Sequence, residues 1–155
     1  MRLNKHCAIK ALFALTSLVV FITPAMSHHS FAMYDQTKTL TMTGVMTRFV
    51  AQANHAEIHF VPLGPDGKPM RSSDGKPIQW GVEMAGAAAV ANQGITAATF
   101  PAGTIFSVKL NPLRDGTNFG SRTGAIAKCP PQKPPAAGKH CDSVEGKTLL
   151  GGDTF

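Results

Sequence analysis

The chain has few charged and few aromatic residues, and it lacks the short motifs that mark common enzyme classes. Charged residues make up 15% of the chain and aromatic residues 7%. The basic residues are scattered rather than grouped, so no basic stripe is present that would hold a nucleic-acid backbone. No glycine-rich phosphate loop follows a strand, and no Gly-x-Ser-x-Gly turn is present. We therefore expect no nucleic-acid partner and no enzyme activity.

The chain also lacks an apolar run of the length that a membrane-spanning helix needs. The uncharged run at 11–23 has 13 residues, whereas a spanning helix needs about 20. It follows a basic start and precedes small residues, which is typical of a secretory signal peptide. Ala25 and Ser27 occupy the −3 and −1 positions for cleavage after Ser27. We predict a signal peptide at 1–27 and a single domain at 28–155; cleavage after Ala25 and an uncleaved anchor are the alternatives.

Removal of the leader changes both the charge and the cysteine count. The leader takes three of the 15 basic residues and no acidic residue, so the formal charge of +6 becomes +3. Cys7 is removed too, which leaves Cys129 and Cys141 on either side of a proline-rich stretch. In an oxidising compartment we expect a disulfide between them, and a metal site that adds His140 is the alternative. The protein is expected to be periplasmic or secreted, without a stable membrane anchor, and the class of partner that this location offers is another periplasmic protein.

The order of the predicted elements favours a small barrel. Alternating apolar residues predict strands at 37–50, 55–63, 78–84, 104–110, 122–128 and 147–150, with an alanine-rich helix at 85–93 before Gly94. Three strands, a short helix and two further strands are the order of an OB-fold, whose long first strand we expect to bend at Gly44. The predicted fold is therefore mainly β: a small OB-like five-stranded barrel with one short helix. An open β-sandwich is the alternative, and the expected large core residues are Phe49, Phe60, Trp80, Phe100 and Phe106.

Several short segments occur in an order that is similar to one family. They are HHSFAMYD at 28–35, TGVMTRF at 43–49, a histidine at 55, WGVE at 80–83, PAGT at 101–104, NPLRDG at 111–116 and GKTLLGG at 146–152. Through them the chain resembles a small exported bacterial family catalogued as domain of unknown function 6152. The family usually has Trp-Thr-Asn-Pro-His before its second strand; here 51–55 is AQANH, which keeps only the histidine. The resemblance implies a small, exported, β-rich protein and implies no reaction.

Two adjacent histidines, His28 and His29, directly follow the leader. Cleavage before His28 would place its α-amine and its imidazole close enough to chelate one metal ion, and nitrogen donors of this kind suit Cu(II). If the cut comes two residues earlier, a histidine at the third position is also a copper chelator. His29 adds another imidazole. His55 and His59 lie about 13 Å apart along a strand, too far to bind one ion together, so we expect only one of them to join, and His55, at the strand end, is the better candidate. The sequence thus predicts an exported binding protein that is a copper-binding module using its N-terminal histidine.

Three other interpretations use the same residues. The chain could be a non-catalytic OB-like module that binds a small ligand or a partner protein without metal. The HHSFA start could be a structural plug in which Phe31 and Tyr34 pack onto the barrel. Glu57 and Glu83 could act as general acid and base, or Glu83 and a histidine could act in a hydrolase, although exposed strand carboxylates are the simpler expectation.

Overall fold

Six strands and one short helix build the part of the chain that the computed structural model describes, residues 31–152 and 154–155. Phe31–Phe155 form one compact unit. In this part of the chain, no helix combines the length and the apolar character needed to cross a membrane. After a 3₁₀ turn at Phe31–Met33, the elements are β1 (Leu40–Ala51), β2 (Ala56–Pro62), β3 (Trp80–Glu83), α1 (Ala87–Asn92), β4 (Ile105–Pro112), β5 (Phe119–Lys128), a second 3₁₀ turn (Cys141–Ser143) and β6 (Thr148–Leu150).

The first five strands close into a barrel. β1 pairs antiparallel with both β2 and β4, β2 with β3, and β4 with β5. The ring is completed by a short parallel pairing of β3 with β5, in which Gly81 faces Phe119 and Glu83 faces Ser121. β6 pairs with β5 outside this ring. The predicted OB-like barrel is confirmed. The sandwich alternative is wrong because β3 and β5, which would be the free edges of an open sheet, are paired with each other.

β1 is shared between the two halves of the barrel, but its irregularity does not lie where the sequence suggested. The pairing register with β2 shifts at Thr47, between Met46 and Arg48, rather than at Gly44. A side chain at Gly44 would overlap the ring of Phe60 and lie 2.8 Å from the carbonyl oxygen of Val61. The glycine therefore permits a close approach of two strands, and the irregularity of the pairing follows it at Thr47.

The barrel interior is filled by the apolar faces that the alternation predicted. Phe60, Phe100 and Phe106 are fully buried. Phe106 meets the other two rings edge to face, at centroid distances of 5.2 Å and 5.8 Å, which is a favoured geometry for aromatic pairs. Phe49 and Trp80 pack against this cluster and are partly buried. The predicted large core residues are thus confirmed.

A second, smaller apolar cluster lies around the disulfide. Cys129 and Cys141 are bonded, with their Cα atoms 5.0 Å apart, so the predicted bridge is confirmed. They are buried with Ala127 and pack against four partly buried residues: Ile105, Val144, Leu149 and Phe155. The chain between the cysteines covers part of the barrel exterior, because Cys141 donates its backbone N–H to the fully buried Ser107.

Candidate functional site

Of the three predicted copper ligands, the structure describes one. His28 and His29 lie outside the described residues, as does the cleavage site after Ser27, and all three remain predictions. His55 lies directly before β2 and is partly buried. In the part of the chain that the structure describes, no three histidine, cysteine or acidic side chains converge as a metal site would require.

His55 belongs to a chain of three polar side chains that joins separate parts of the fold. Its Nδ1 lies 3.0 Å from Oε1 of Glu83, the last residue of β3. The hydroxyl of Tyr34 donates to the other oxygen of the same carboxylate, Oε2, at 3.1 Å. Glu83 thus uses both oxygens, one for each partner. The carboxylate connects the turn before β2 to the segment that precedes β1.

The backbone around His55 is fixed by a close contact with the start of α1. The turn between β1 and β2 is closed by a hydrogen bond from the Gln52 N–H to the His55 carbonyl, 3.2 Å long. A side chain at Gly86 would overlap the carbonyl oxygen of Ala53 in this turn. Because only glycine permits this approach, the turn packs directly against the residue before the helix. The position of His55 is therefore set by packing as well as by Glu83.

Tyr34 and its neighbours along the chain are held in place by hydrogen bonds to residues 112–114. It forms an isolated bridge with Leu113, and the Asp35 N–H donates to the Pro112 carbonyl at 2.8 Å. Arg114 also contacts this segment. Its backbone N–H donates to the Met33 carbonyl at 3.0 Å, and its Nε–H donates to the Ala32 carbonyl at 3.0 Å. The segment is thereby docked on the connection between β4 and β5.

The environment of Tyr34 changes its acidity. Only 3% of the residue is exposed. Burial first, and then the negative charge of Glu83 and its hydrogen bond, raise the pKa of the phenol well above its ordinary value. Phe31, which the plug interpretation would also pack onto the barrel, is 68% exposed. Of the two aromatic side chains in that interpretation, Tyr34 is buried and Phe31 is not. The contact of Tyr34 with Glu83 was not predicted from the sequence.

A second histidine–carboxylate pair lies beside the first. Glu57 and Glu83 face each other across the pairing of β2 with β3. His59 Nε2 lies 2.8 Å from Oε2 of Glu57 and 3.3 Å from Nη2 of Arg48. The two histidines therefore contact different carboxylates. The sequence alternatives treated both glutamates as exposed, whereas Glu57 and Glu83 side chains are only 24% and 19% exposed.

The chain matches one protein family over a region that includes the residues of this site. Residues 16–123 match a family of unknown function, DUF6152. The matched region contains the HHSFA start, Tyr34, His55 and Glu83, and it ends before Cys129 and the GKTLLGG segment. No curated protein and no solved structure matches the chain. Because the match covers more than half of its length, the chain belongs to the DUF6152 family of unknown function.

Proposed function

We propose that this protein is an exported, periplasmic or secreted binding protein without a catalytic activity of its own, and that it binds one Cu(II) ion. In this proposal the amine and the imidazole of His28 and the imidazole of His55 are ligands, and His29 is the candidate for a fourth nitrogen. The observation that carries the proposal is the hydrogen-bonded chain Tyr34–Glu83–His55, which joins the segment after the two histidines to the third proposed ligand.

The contact with Glu83 prepares His55 for coordination. A carboxylate can only accept, so a neutral His55 must carry its hydrogen on Nδ1, and its lone pair is then on Nε2. Histidine ligands of metals commonly donate their other ring N–H to a carboxylate in this way, which orients the ring and raises its basicity. Glu83 would thus act as a positioning residue for the metal ligand.

Tyr34 limits how far the N-terminal histidines can lie from His55. His28 precedes Tyr34 by six residues, a length of chain that spans about 20 Å at most. The phenol of Tyr34 is in turn bonded to the carboxylate that holds His55. The length of chain between His28 and Tyr34 is therefore compatible with a shared site for His28 and His55.

His59 is a poorer ligand than His55 on electrostatic grounds. Nε2 of His59 is already engaged by Glu57, and the guanidinium of Arg48 lies 3.3 Å from the same nitrogen. A fixed positive charge at this distance opposes a metal cation there. His59 and Glu57 therefore provide a matched control for His55 and Glu83, because both pairs lie on β2 and β3 or directly beside them.

Export is supported by two features of the chain. The leader at 1–27 has the basic start, short apolar run and small terminal residues of a signal peptide. The Cys129–Cys141 disulfide is the kind of bond that persists in oxidising compartments. Cleavage after Ser27 is what would give His28 its free amine.

The experiment is a titration of the processed protein with Cu(II). Calorimetry measures the affinity and the number of sites, and electron paramagnetic resonance identifies the donor atoms. We expect one site with mostly nitrogen donors. His28→Ala, His55→Ala and a variant with one extra residue before His28 should each lose most of the affinity. Glu83→Gln should weaken binding about 10- to 100-fold, as is typical when the carboxylate partner of a metal-bound histidine is lost.

The controls are His59→Ala and Glu57→Gln, for which we expect little change in affinity. Thermal unfolding of each variant shows whether the barrel is intact. If the variant with the extra residue binds copper as tightly as the processed protein, the N-terminal site is wrong. The metal-free binding module would then replace it.

A further inference from the structure

A groove with a volume of about 240 Å³ lies on the side of the barrel covered by the disulfide loop. One wall is the hairpin loop after β2, which contributes Leu63 and Met70, and the opposite wall is the disulfide loop, which contributes Pro135. The two loops approach each other at Gly67 and Ala137. The polar groups that line the groove include Thr43, Lys139 and His140. None of these residues belongs to the proposed copper site.

Thr43 and His140 are connected to the barrel by a directed chain of hydrogen bonds. The Cys141 N–H donates to Oγ of Ser107 at 2.8 Å. Ser107 is 2.6 Å from Oγ1 of Thr43, and Thr43 is 2.7 Å from Nδ1 of His140. A backbone N–H can only donate, so Ser107 accepts there. Because Ser107 is fully buried, its own hydrogen needs an acceptor, and among the described hydrogen bonds that acceptor is Thr43, which in turn donates to His140. A neutral His140 then carries its ring hydrogen on Nε2.

This direction gives the groove the character of a donor site. His140 presents an N–H, Lys139 adds a positive charge, and no acidic residue is among the described residues that line the groove. The remaining surface is formed largely by proline, methionine and leucine. Buried polar networks that are fully satisfied hold their members rigidly, so the imidazole is fixed in orientation before any ligand arrives.

We infer that this groove binds a small monocarboxylate with an apolar body of about one ring. The carboxylate would accept from His140 and lie near Lys139, because a hydrogen bond to an ionised acceptor is stronger than one between neutral groups. The apolar body would lie between Leu63, Met70 and Pro135. The volume is below the range of about 300–1,000 Å³ for drug-sized ligands, which limits the ligand to a small molecule.

The test uses benzoate as the probe, with protein-observed nuclear magnetic resonance on the oxidised, processed protein. We expect saturable shifts of the amides of Thr43, Leu63 and His140. Benzyl alcohol has the ring without the carboxylate and acetate has the carboxylate without the ring, so each should bind at least about tenfold more weakly than benzoate.

Two lysines of the disulfide loop provide a matched pair of variants. Lys139 lines the groove and Lys133 does not, and both are exposed, so neither substitution should disturb folding. Lys139→Gln should weaken benzoate binding at least about threefold, and Lys133→Gln should leave it unchanged. Reduction of the disulfide should abolish the shifts, because it frees one wall of the groove. Equal affinity for benzoate and benzyl alcohol, or equal effects of the two lysine variants, would overturn the inference.

Discussion

Tyr34 lies in surroundings very different from those of a free tyrosine in water. It is the only tyrosine in the sequence, and it lies in the segment before β1, where a pattern of alternating residues predicts nothing. Its burial and its hydrogen bond to Glu83 both favour the neutral phenol. A single side chain therefore reports on whether this segment stays docked on the barrel.

Tyr34 should resist ionisation at the pH where a free tyrosine ionises. Its raised pKa means that the folded protein holds the phenol proton more tightly than the unfolded chain. The stability that this provides is complete below about pH 10 and is lost as the pH rises from there toward the folded-state value. Absorbance at 295 nm measures the ionisation of this tyrosine alone. A midpoint near pH 10 in the folded protein would contradict the docked position.

Glu83→Gln is the informative variant of this titration. It removes the negative charge beside the phenol and keeps an oxygen that can accept its hydrogen bond. The midpoint should fall toward the ordinary value without reaching it, because burial is the largest cause of the shift and is retained. Glu57→Gln should have a smaller effect, since Glu57 acts on Tyr34 only through its more distant charge.

At the scale of elements, the features that depend on a local sequence pattern were predicted better than those that depend on long-range contacts. The alternation of Ala56, Ile58 and Phe60 identified the buried face of β2, and Gly94 marked the end of the helix, where its φ is +78°. Gly44 was predicted to bend β1, but a sequence cannot distinguish a glycine that bends a strand from one that admits a neighbouring ring. The bulge at Thr47 carried no sequence signal.

The candidate site was predicted only in part for a related reason. His55 was identified through the family resemblance and the start of a strand, both of which are visible in the sequence. Tyr34 and Glu83 are 49 residues apart, and only closure of the barrel brings them together. The groove beside His140 depends in the same way on where the disulfide loop rests. Contacts of this kind are set by tertiary packing rather than by residue spacing.

The disulfide loop is the element whose stability is easiest to test. Reduction of Cys129–Cys141 should lower the free energy of unfolding by about 2–3 kcal/mol, because the unfolded chain regains the freedom that the short loop denies it. Denaturant unfolding with and without reductant measures this difference. A Cys129→Ser/Cys141→Ser variant should not respond to the reductant. Labelling of the unreduced, denatured protein should find almost no free thiol, and two reactive thiols per processed chain would contradict the bridge.

At the scale of the whole molecule, removal of the leader determines which groups the protein presents. We expect the exported protein to begin at His28, because Ala25 and Ser27 satisfy the small-residue positions of the cleavage site. Intact mass and N-terminal sequencing of protein recovered after export measure this directly. A mass that includes residues 1–27 would contradict both export in processed form and the copper site that depends on a free His28 amine.

The sharing of β1 between two partners has a consequence for the order in which the protein folds. The second half of β1 pairs with β2, which follows at once, whereas Leu40 at the start of β1 pairs only with Leu110 in β4. A chain delivered from its N-terminus can form the β1–β2 hairpin early, but the edge of the first half then stays unpaired until β4 arrives. Contacts between distant residues slow folding, and unpaired strand edges attract other chains. The interval before β4 is delivered is therefore when this protein has the greatest need of protection from aggregation.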